Sequence, residues 1–220
     1  MGRWGSRQGT DGSARRRVMF YSHDTFGLGH LRRSRTLATA LTAQDDTTSA
    51  IILTGSPVAG RFTFPERVDH IRLPGVTKLT DGSYVSQTLG LDIDDTTSLR
   101  AGLIQTAIEQ YEPDLLIVDK EPTGFRGELL PTLEWLRIRG RTRTVLGLRD
   151  VLDEPEVLAA EWHRKGAVTA ADKLYDELWV YGVRDVHDPT EGLPLAPETR
   201  ARMHWTGYLR RQEVDTGEVP

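Results

Sequence analysis

The fold is decided by one short stretch of sequence, the run Arg17-Val18-Met19-Phe20-Tyr21-Ser22 and the turn Phe26-Gly27-Leu28-Gly29-His30 that follows it. The run is apolar in its middle and predicts a buried strand. Gly27 and Gly29 allow the backbone to turn tightly, and residues 28–43 then carry apolar side chains at helical spacing. We expect any active site to be built around this turn, between the predicted strand and the predicted helix.

Outward from this unit, short β-branched or aliphatic runs alternate with longer segments of helical spacing. Further strands are predicted at residues 50–54, 70–73, 114–119, 143–148, 177–181 and 204–207, and further helices at 98–112, 128–137, 154–165 and 167–175. Such alternation is typical of βαβ units. The sequence therefore predicts one Rossmann-like α/β domain over residues 17–209, with a doubly wound parallel sheet of about seven strands. Residues 1–16 are predicted to be a disordered basic tail, and residues 210–220 a linker or C-terminal tail.

The composition restricts the partners of the chain. Its 220 residues carry a net charge of -4, which does not predict nucleic-acid binding. Cysteine is absent, which excludes disulfides and thiolate metal sites and is compatible with the cytoplasmic location that we expect. No apolar run approaches the length of a membrane span, and residues 1–17 lack the apolar core of a signal peptide. Peripheral contact with a membrane stays open.

The predicted topology places the functional site before any motif is considered. Sheets of this kind bind ligands beyond the carboxyl ends of their strands. Those ends carry residues 22–30, 55–56, 119–124 and 149–150. A polar segment without a clear period, residues 76–97, is predicted to be functional or disordered. Its Lys78 and Asp81 are candidate ligand contacts.

The glycine turn lacks the parts of the familiar nucleotide-binding loops. Bare N–H groups at the start of a helix favour an anion or a developing oxyanion. A dinucleotide site would need a third glycine where the sequence has Arg32, and an acidic residue near the end of the second strand, which closes with Thr54-Gly55. A Walker loop would need Gly-Lys-Ser or Gly-Lys-Thr. The sequence therefore predicts no dinucleotide cofactor.

His30 is the candidate catalytic residue. It falls in the first turn of the predicted helix, where the dipole disfavours the charged form and leaves a neutral imidazole able to accept a proton. The alternative is a histidine that only caps or packs against the loop. His23 lies on the same strand-end loop and is a candidate partner. Because no HExxH or other metal-binding spacing occurs, no metal is expected.

Four stretches in one order resemble the GT-B glycosyltransferases. They are the strand and turn already quoted with the following Leu31-Arg32-Arg33, Asp119-Lys120-Glu121-Pro122-Thr123-Gly124, Gly147-Leu148-Arg149-Asp150-Val151-Leu152-Asp153 and Trp205-Thr206-Gly207-Tyr208-Leu209. The sequence is most similar to predicted bacterial glycosyltransferases that are distantly similar to the enzyme adding N-acetylglucosamine in peptidoglycan synthesis. The resemblance spans about residues 17–211.

The resemblance implies that the chain is an N-terminal lobe, which in this family usually holds the sugar acceptor. It also implies a second Rossmann-like lobe for the nucleotide-sugar donor, which would follow Gly207-Tyr208 but is not encoded before Pro220. We expect that lobe in a longer gene product or in a partner chain. The nucleotide-sugar would be a co-substrate, with no other cofactor and no metal. In an inverting transfer, the base would be His30, and helix N-termini and cations would stabilise the diphosphate.

The resemblance also assigns binding roles around the turn. Gly27 and Gly29 would supply room and N–H donors. Arg32 or Arg33 would pair with phosphate, although at least one of them is expected to belong to a solvated helix face.

Further binding residues are expected where the fourth and fifth strands end. Asp119, Glu121, Arg149 and Asp150 would face the same crevice. The carboxylates would hydrogen-bond sugar hydroxyls, or else an Arg149–Asp150 or Arg149–Glu121 ion pair would only shape the loops.

Two other functions stay open at this point. The lobe could bind a saccharide or a partner protein without catalysing transfer. It could also serve in nucleotide-sugar epimerisation, because fold and function are only loosely tied.

Overall fold

The computed structural model describes residues 7–8, 14–23, 28–152 and 154–209. The strands are β1 Arg7–Gln8, β2 Ala14–Ser22, β3 Thr48–Thr54, β4 Val68–Arg72, β5 Val76–Lys78, β6 Tyr84–Ser86, β7 Leu115–Asp119, β8 Arg143–Arg149, β9 Glu177–Tyr181 and β10 Met203–Trp205. The α-helices are α1 Gly29–Gln44, α2 Ile93–Tyr111, α3 Leu130–Arg139, α4 Pro155–Lys165, α5 Ala167–Leu174 and α6 Pro197–Ala201. Short 3₁₀ turns lie at Ala59–Arg61 and Phe125–Gly127.

Seven parallel strands form the main sheet, in the order β4-β3-β2-β7-β8-β9-β10. This confirms the predicted α/β Rossmann-like fold. The order runs outward from the centre in both directions, because β3 and β4 lie on one side of β2 and the later strands lie on the other. The carboxyl ends of β2 and β7 therefore flank the switch point, where such sheets open a crevice.

The sheet separates two apolar layers. On one side, Leu31 and Ala38 of α1 pack with Phe20 of β2 and Ile117 of β7. On the other side, α2 to α5 cover the sheet, with Ile104 of α2 fully buried in the larger cluster. All five residues of β7 are buried, as expected for a central parallel strand with a layer on each face. The two strand ends of the crevice thus belong to the best-packed part of the sheet.

The second helix begins earlier than predicted. Asp92 is its N-cap and accepts a hydrogen bond from the backbone N–H of Asp94 at 2.7 Å, so α2 starts five residues before the expected position at residue 98. Acidic residues in the first turn favour this start, because their negative charge interacts favourably with the positive end of the helix dipole. The helix ends at Tyr111, just before Pro113.

Part of the segment predicted to be irregular forms a small hairpin. Strands β5 and β6 pair antiparallel, and Asp81 closes the turn by accepting a hydrogen bond from the N–H of Ser83 at 2.9 Å. The Lys78 ammonium lies 5.9 Å from the ring centroid of Tyr84, which in turn packs edge-on against Phe125. Lys78 and Asp81 therefore both make contacts within the hairpin.

The N-terminal stretch also differs from the expectation. Arg7 and Gln8 pair antiparallel with Arg15 and Ala14, so β2 begins before residue 17 and part of the predicted disordered tail is a strand. Backbone pairing with an existing strand orders two polar residues that have no apolar pattern of their own. Over the described ranges, no helix combines the length and apolar character needed to cross a bilayer.

Candidate active site at the sheet switch point

The start of α1 stands at the switch point. The helix begins at Gly29, and no side chain of the described residues caps its first turn. Gly29 is exposed, and a Cβ placed on it would have no neighbour within 4 Å. No contact with another described residue therefore requires a glycine at this position. Residues 24–27 lie outside the described residues, so the role of Gly27 stays a prediction.

His30 and Asp119 form the centre of the site. Nδ1 of His30 lies 2.8 Å from Oδ2 of Asp119, the last residue of β7. Their side chains are 14% and 4% exposed, so the pair is largely shielded from water. Arg33 completes the cluster, because its Nη1 lies 2.6 and 2.7 Å from the two carboxylate oxygens of Asp119. One helix thus supplies an imidazole and a guanidinium to one carboxylate.

This arrangement suits proton transfer. When the Nδ1 proton of His30 is donated to Asp119, the other ring nitrogen, Nε2, keeps its lone pair and can accept a proton. The carboxylate also stabilises the imidazolium that would then form. The contact is the one that a general base makes with an orienting carboxylate, and the choice between that role and a histidine that only packs against the loop stays a prediction.

His23 lies beside His30, as its position on the loop suggested. The two imidazole rings are perpendicular, with centroids 5.9 Å apart. Burial, followed by the positive charges of His30, Lys165 and Lys120, lowers the pKa of His23 to about 3. Its Nδ1 is buried and has no hydrogen-bond partner within the described residues. His23 is therefore neutral at physiological pH and adds no charge beside His30.

Glu121 forms ion pairs with two lysine side chains. Lys165 of α4 donates a hydrogen bond to its Oε2 at 2.8 Å, and the ammonium of Lys120 lies 3.9 Å from its Oε1. The chain can turn from Asp119 to this buried position because Lys120 adopts a left-handed backbone conformation, with φ 70°. Glu121 thus ties α4 to the end of β7.

Arg149 and Asp150 end the neighbouring strand β8. Arg149 is exposed, and it forms neither of the two expected ion pairs, with Asp150 or with Glu121, among the described residues. Asp150 packs against Gly182, where an added Cβ would lie 2.6 Å from the Asp150 Cβ. Arg32 is also exposed on α1. Ligand contacts by these three residues stay predictions.

A buried ion pair beside the crevice was not anticipated. Nε and Nη2 of Arg100 each lie 2.6 Å from an oxygen of Glu128, and the Tyr21 hydroxyl donates to the same carboxylate at 2.7 Å. Burial, aided by the charge of Glu128, raises the pKa of Tyr21 well above its usual value, so this hydroxyl stays protonated. Arg100 also donates to the carbonyl of Pro74 at 2.6 Å. The cluster joins the loop after β7 to the connection that enters the hairpin.

A signal for this cluster existed in the sequence. Arg100 falls in the same helical stripe as Thr96, Ile104 and Ile108, all buried on α2. An arginine in a buried stripe needs a carboxylate partner.

A surface pocket of about 450 Å³ lies at the amino ends of the interior strands β7 and β8. Its walls include Trp135, Arg139 and Arg141, near the start of β8. It lies far along the strands from His30, and neither His30, Arg33 nor Asp119 lines it. Within the described residues, no group of three or more His, Cys, Asp or Glu side chains could hold a metal ion. The expectation of metal-independent chemistry stays a prediction.

The fold matches part of several solved glycosyltransferases. A UDP-glucosyltransferase from Polygonum tinctorium that glucosylates indoxyl matches 90% of this chain and 53% of its own length, with a TM-score of 0.58 and 15% identity. The glycotransferase of kitacinnamycin matches 94% of this chain and 55% of its own, with a TM-score of 0.51 and 13% identity. A transferase from Siraitia grosvenorii in complex with UDP matches 78% and 46%, with a TM-score of 0.50 and 12% identity.

These comparisons define a fold and not a family. The chain spans about half the length of the solved structures it matches. No protein-family model and no curated protein sequence matches it.

Proposed function

We propose that this chain is the acceptor-binding lobe of a GT-B-type glycosyltransferase, with His30 as its base. The observation that carries the proposal is the short contact between His30 and Asp119 at the switch point. A base is required there because a sugar acceptor attacks through a hydroxyl group, which is a weak nucleophile until its proton is removed. The likeness to solved glycosyltransferases supports the same class of reaction.

The reaction would proceed by one displacement. Nε2 of His30 takes the acceptor proton while the acceptor oxygen forms a bond to the anomeric carbon of the donor. The bond from that carbon to the diphosphate breaks, and the nucleoside diphosphate leaves with the electron pair. Asp119 stabilises the imidazolium that results. The N–H groups at the start of α1, with Arg32 as an exposed cation, would offset negative charge on the leaving group without a metal.

The donor site belongs to a second lobe in this proposal. The support for it is that the chain corresponds to about half of each solved glycosyltransferase it matches. The second lobe would be a further part of the same polypeptide or a separate chain. Kinship to bacterial glycosyltransferases distantly similar to the peptidoglycan enzyme, a cytoplasmic location and peripheral contact with a membrane belong to the proposal as well.

The test combines the chain with the donor-binding lobe encoded beside it or in continuation of it. Transfer from a panel of UDP- and TDP-sugars to an acceptor library is followed by mass spectrometry. His30→Ala should lower the transfer rate by about 10²- to 10⁴-fold. His204→Ala, which removes an exposed histidine on β10, is the matched control and should leave the rate unchanged.

Three outcomes would contradict the proposal. Transfer by residues 1–220 alone would show that no second lobe is needed. Saccharide binding without transfer from any donor would indicate a non-catalytic lobe. An epimerised nucleotide-sugar as the product would indicate epimerisation in place of transfer.

A further inference from the structure

Tyr181, at the carboxyl end of β9, is a buried tyrosine that the proposed reaction does not use. It lies on the α1 side of the sheet, because the alternation along β9 that packs Trp179 into the α1-side cluster also turns residue 181 to that side. Its hydroxyl is buried and has no hydrogen-bond partner among the described residues. Burial, followed by the charge of Asp119, raises the pKa of Tyr181, so the phenol stays neutral. The ring is therefore the part of Tyr181 that contacts the described neighbours.

The Tyr181 ring occupies the space that Gly147 leaves open. This residue of β8 pairs in register with Asp119 on one side and Trp179 on the other. A Cβ at position 147 would lie 2.8 Å from Cζ of Tyr181 and closer still to its hydroxyl oxygen, a spacing that folded proteins do not tolerate. Because glycine leaves this space open, the Tyr181 ring reaches across β8 in the direction of β7.

The ring ends beneath the guanidinium of Arg33. Cζ of Arg33 lies 5.6 Å from the ring centroid, within the range of a cation–π contact. The same guanidinium holds both oxygens of Asp119. Arg33 therefore lies between an aromatic face and a carboxylate, and both partners restrict a side chain that otherwise has many rotamers.

We propose that Tyr181 is a positioning residue: its ring, seated over Gly147, holds Arg33 against Asp119 and so keeps Asp119 in place to accept the Nδ1 proton of His30. The use of His30 as a base rests on the function proposed above, whereas the positioning rests on the contacts alone. The ring carries this role, because the hydroxyl bonds to no described group. Without the ring, Arg33 is free to turn to solvent and the carboxylate is free to rotate away from the imidazole.

The tautomer of His30 gives a direct test, because it depends on Asp119 and not on transfer. A neutral histidine with no partner populates both tautomers, whereas an acceptor at Nδ1 selects the Nδ1–H form. The ¹⁵N chemical shifts of the two ring nitrogens are measured in protein labelled with ¹⁵N-histidine, at a pH where free histidine is neutral. The wild-type chain should show His30 mainly in the Nδ1–H form.

Three variants separate the ring from the hydroxyl. Tyr181→Met keeps much of the volume but removes the ring, and it should shift His30 to a mixture of tautomers. Tyr181→Phe restores the ring without the hydroxyl and should restore the Nδ1–H form. Gly147→Ala displaces the ring from the neighbouring strand and should act as Tyr181→Met does. Trp135→Met is the matched control, because Trp135 contacts an arginine at the other end of the strands, with Cζ of Arg139 4.7 Å from its ring, and should leave His30 unchanged.

The inference is overturned if folded Tyr181→Met keeps the wild-type tautomer, or if Tyr181→Phe loses it to the same extent as Tyr181→Met. Should Tyr181→Met not fold, Gly147→Ala decides by the same criterion, and Tyr181→Phe still tests the hydroxyl. These readings are independent of sugar transfer. A chain that shows the tautomer changes without transferase activity would contradict the proposed function and leave the positioning role intact.

Discussion

At the scale of single residues, Asp119 is the group on which the site depends. It shares its charge between His30 and Arg33, two residues that lie one helical turn apart on α1. A carboxylate in this place both selects the tautomer of the imidazole and stabilises its protonated form during reaction.

Asp119→Asn should therefore abolish most of the activity while the fold is kept. An amide has nearly the same shape but carries no charge to stabilise the imidazolium. We expect kcat for sugar transfer to fall by roughly 10²- to 10⁴-fold with a small change in KM. Asp114→Asn is the control, because Asp114 precedes the other end of β7 and accepts only structural bonds such as that from the Arg17 N–H. Equal losses in both variants would speak against a role of Asp119 in the chemistry.

His23 should make the stability of the protein depend on pH. Its pKa falls from 6.5, the ordinary histidine value, to about 3 in the folded chain. Between these two values the unfolded chain binds the proton and the folded chain does not, so stability decreases as the pH falls through this window. The slope that His23 contributes is at most about 1.4 kcal/mol per pH unit.

Urea unfolding of the wild type and His23→Asn between pH 4 and pH 7, a range set by that window, measures this contribution. The stability advantage of the wild type over the variant should shrink as the pH falls, because asparagine takes up no proton. A difference that stays constant across the range would show that His23 does not remain neutral in the folded protein.

The sequence singled out His30 as the candidate base but did not predict the geometry around it. His30 could be selected because it opens a helix directly after a strand. Its contact with Asp119 could not, because the two residues are 89 positions apart and meet only when β2 and β7 are neighbours. The helical spacing would have predicted that Arg33, and not Arg32, lies beside His30. Residues three apart share a helix face, whereas residues two apart do not.

At the scale of elements, the ion pair of Arg100 and Glu128 fixes the loop that follows β7. The two side chains are 4% and 0% exposed, so each would be a buried unpaired charge without the other. Arg100→Met or Glu128→Leu alone should lower the free energy of unfolding by about 3–5 kcal/mol.

The double variant provides the control. Replacing both charges by apolar groups should cost at least about 2 kcal/mol less than the sum of the two single changes, because no unpaired charge remains. Chemical denaturation of the four proteins gives the coupling energy. Additive costs would mean that the two side chains do not stabilise each other.

The elements themselves followed from the sequence to different degrees. Residues 177–181 were predicted as a strand with the bounds that β9 has, since a short apolar run between polar segments leaves little choice. The start of α2 was missed because its acidic first turn has no apolar periodicity. The hairpin β5–β6 was missed because it has only three residues in each strand and depends on contacts such as Tyr84 with Phe125. Short elements of this kind are stabilised by tertiary packing more than by their own pattern.

At the scale of the whole molecule, the site lies at the carboxyl ends of interior strands of the sheet. His30 lies in the helix that follows β2, and Asp119 is the last residue of β7. Both strands lie inside the sheet, and each pairs with a parallel neighbour on both sides. The hairpin β5–β6, in contrast, forms a separate two-stranded sheet. A base and its orienting acid benefit from a rigid support, because their hydrogen bond must be kept while the substrate changes.

Native-state hydrogen exchange should reveal this gradient of stability. We expect the slowest amides in β2, β7 and β8, where backbone bonds are buried between two layers, and the fastest amides in β5, β6 and the edge strand β10. Arg100→Met should accelerate exchange in the hairpin and in the loop after β7 far more than in β2, because it removes the bond to Pro74 and the partner of Glu128. The measurement is mass spectrometry of peptic peptides at several exchange times. If β2 and β7 exchanged as fast as the hairpin, the rigid support for His30 and Asp119 would not exist, and their contact would have to be formed by ligand binding.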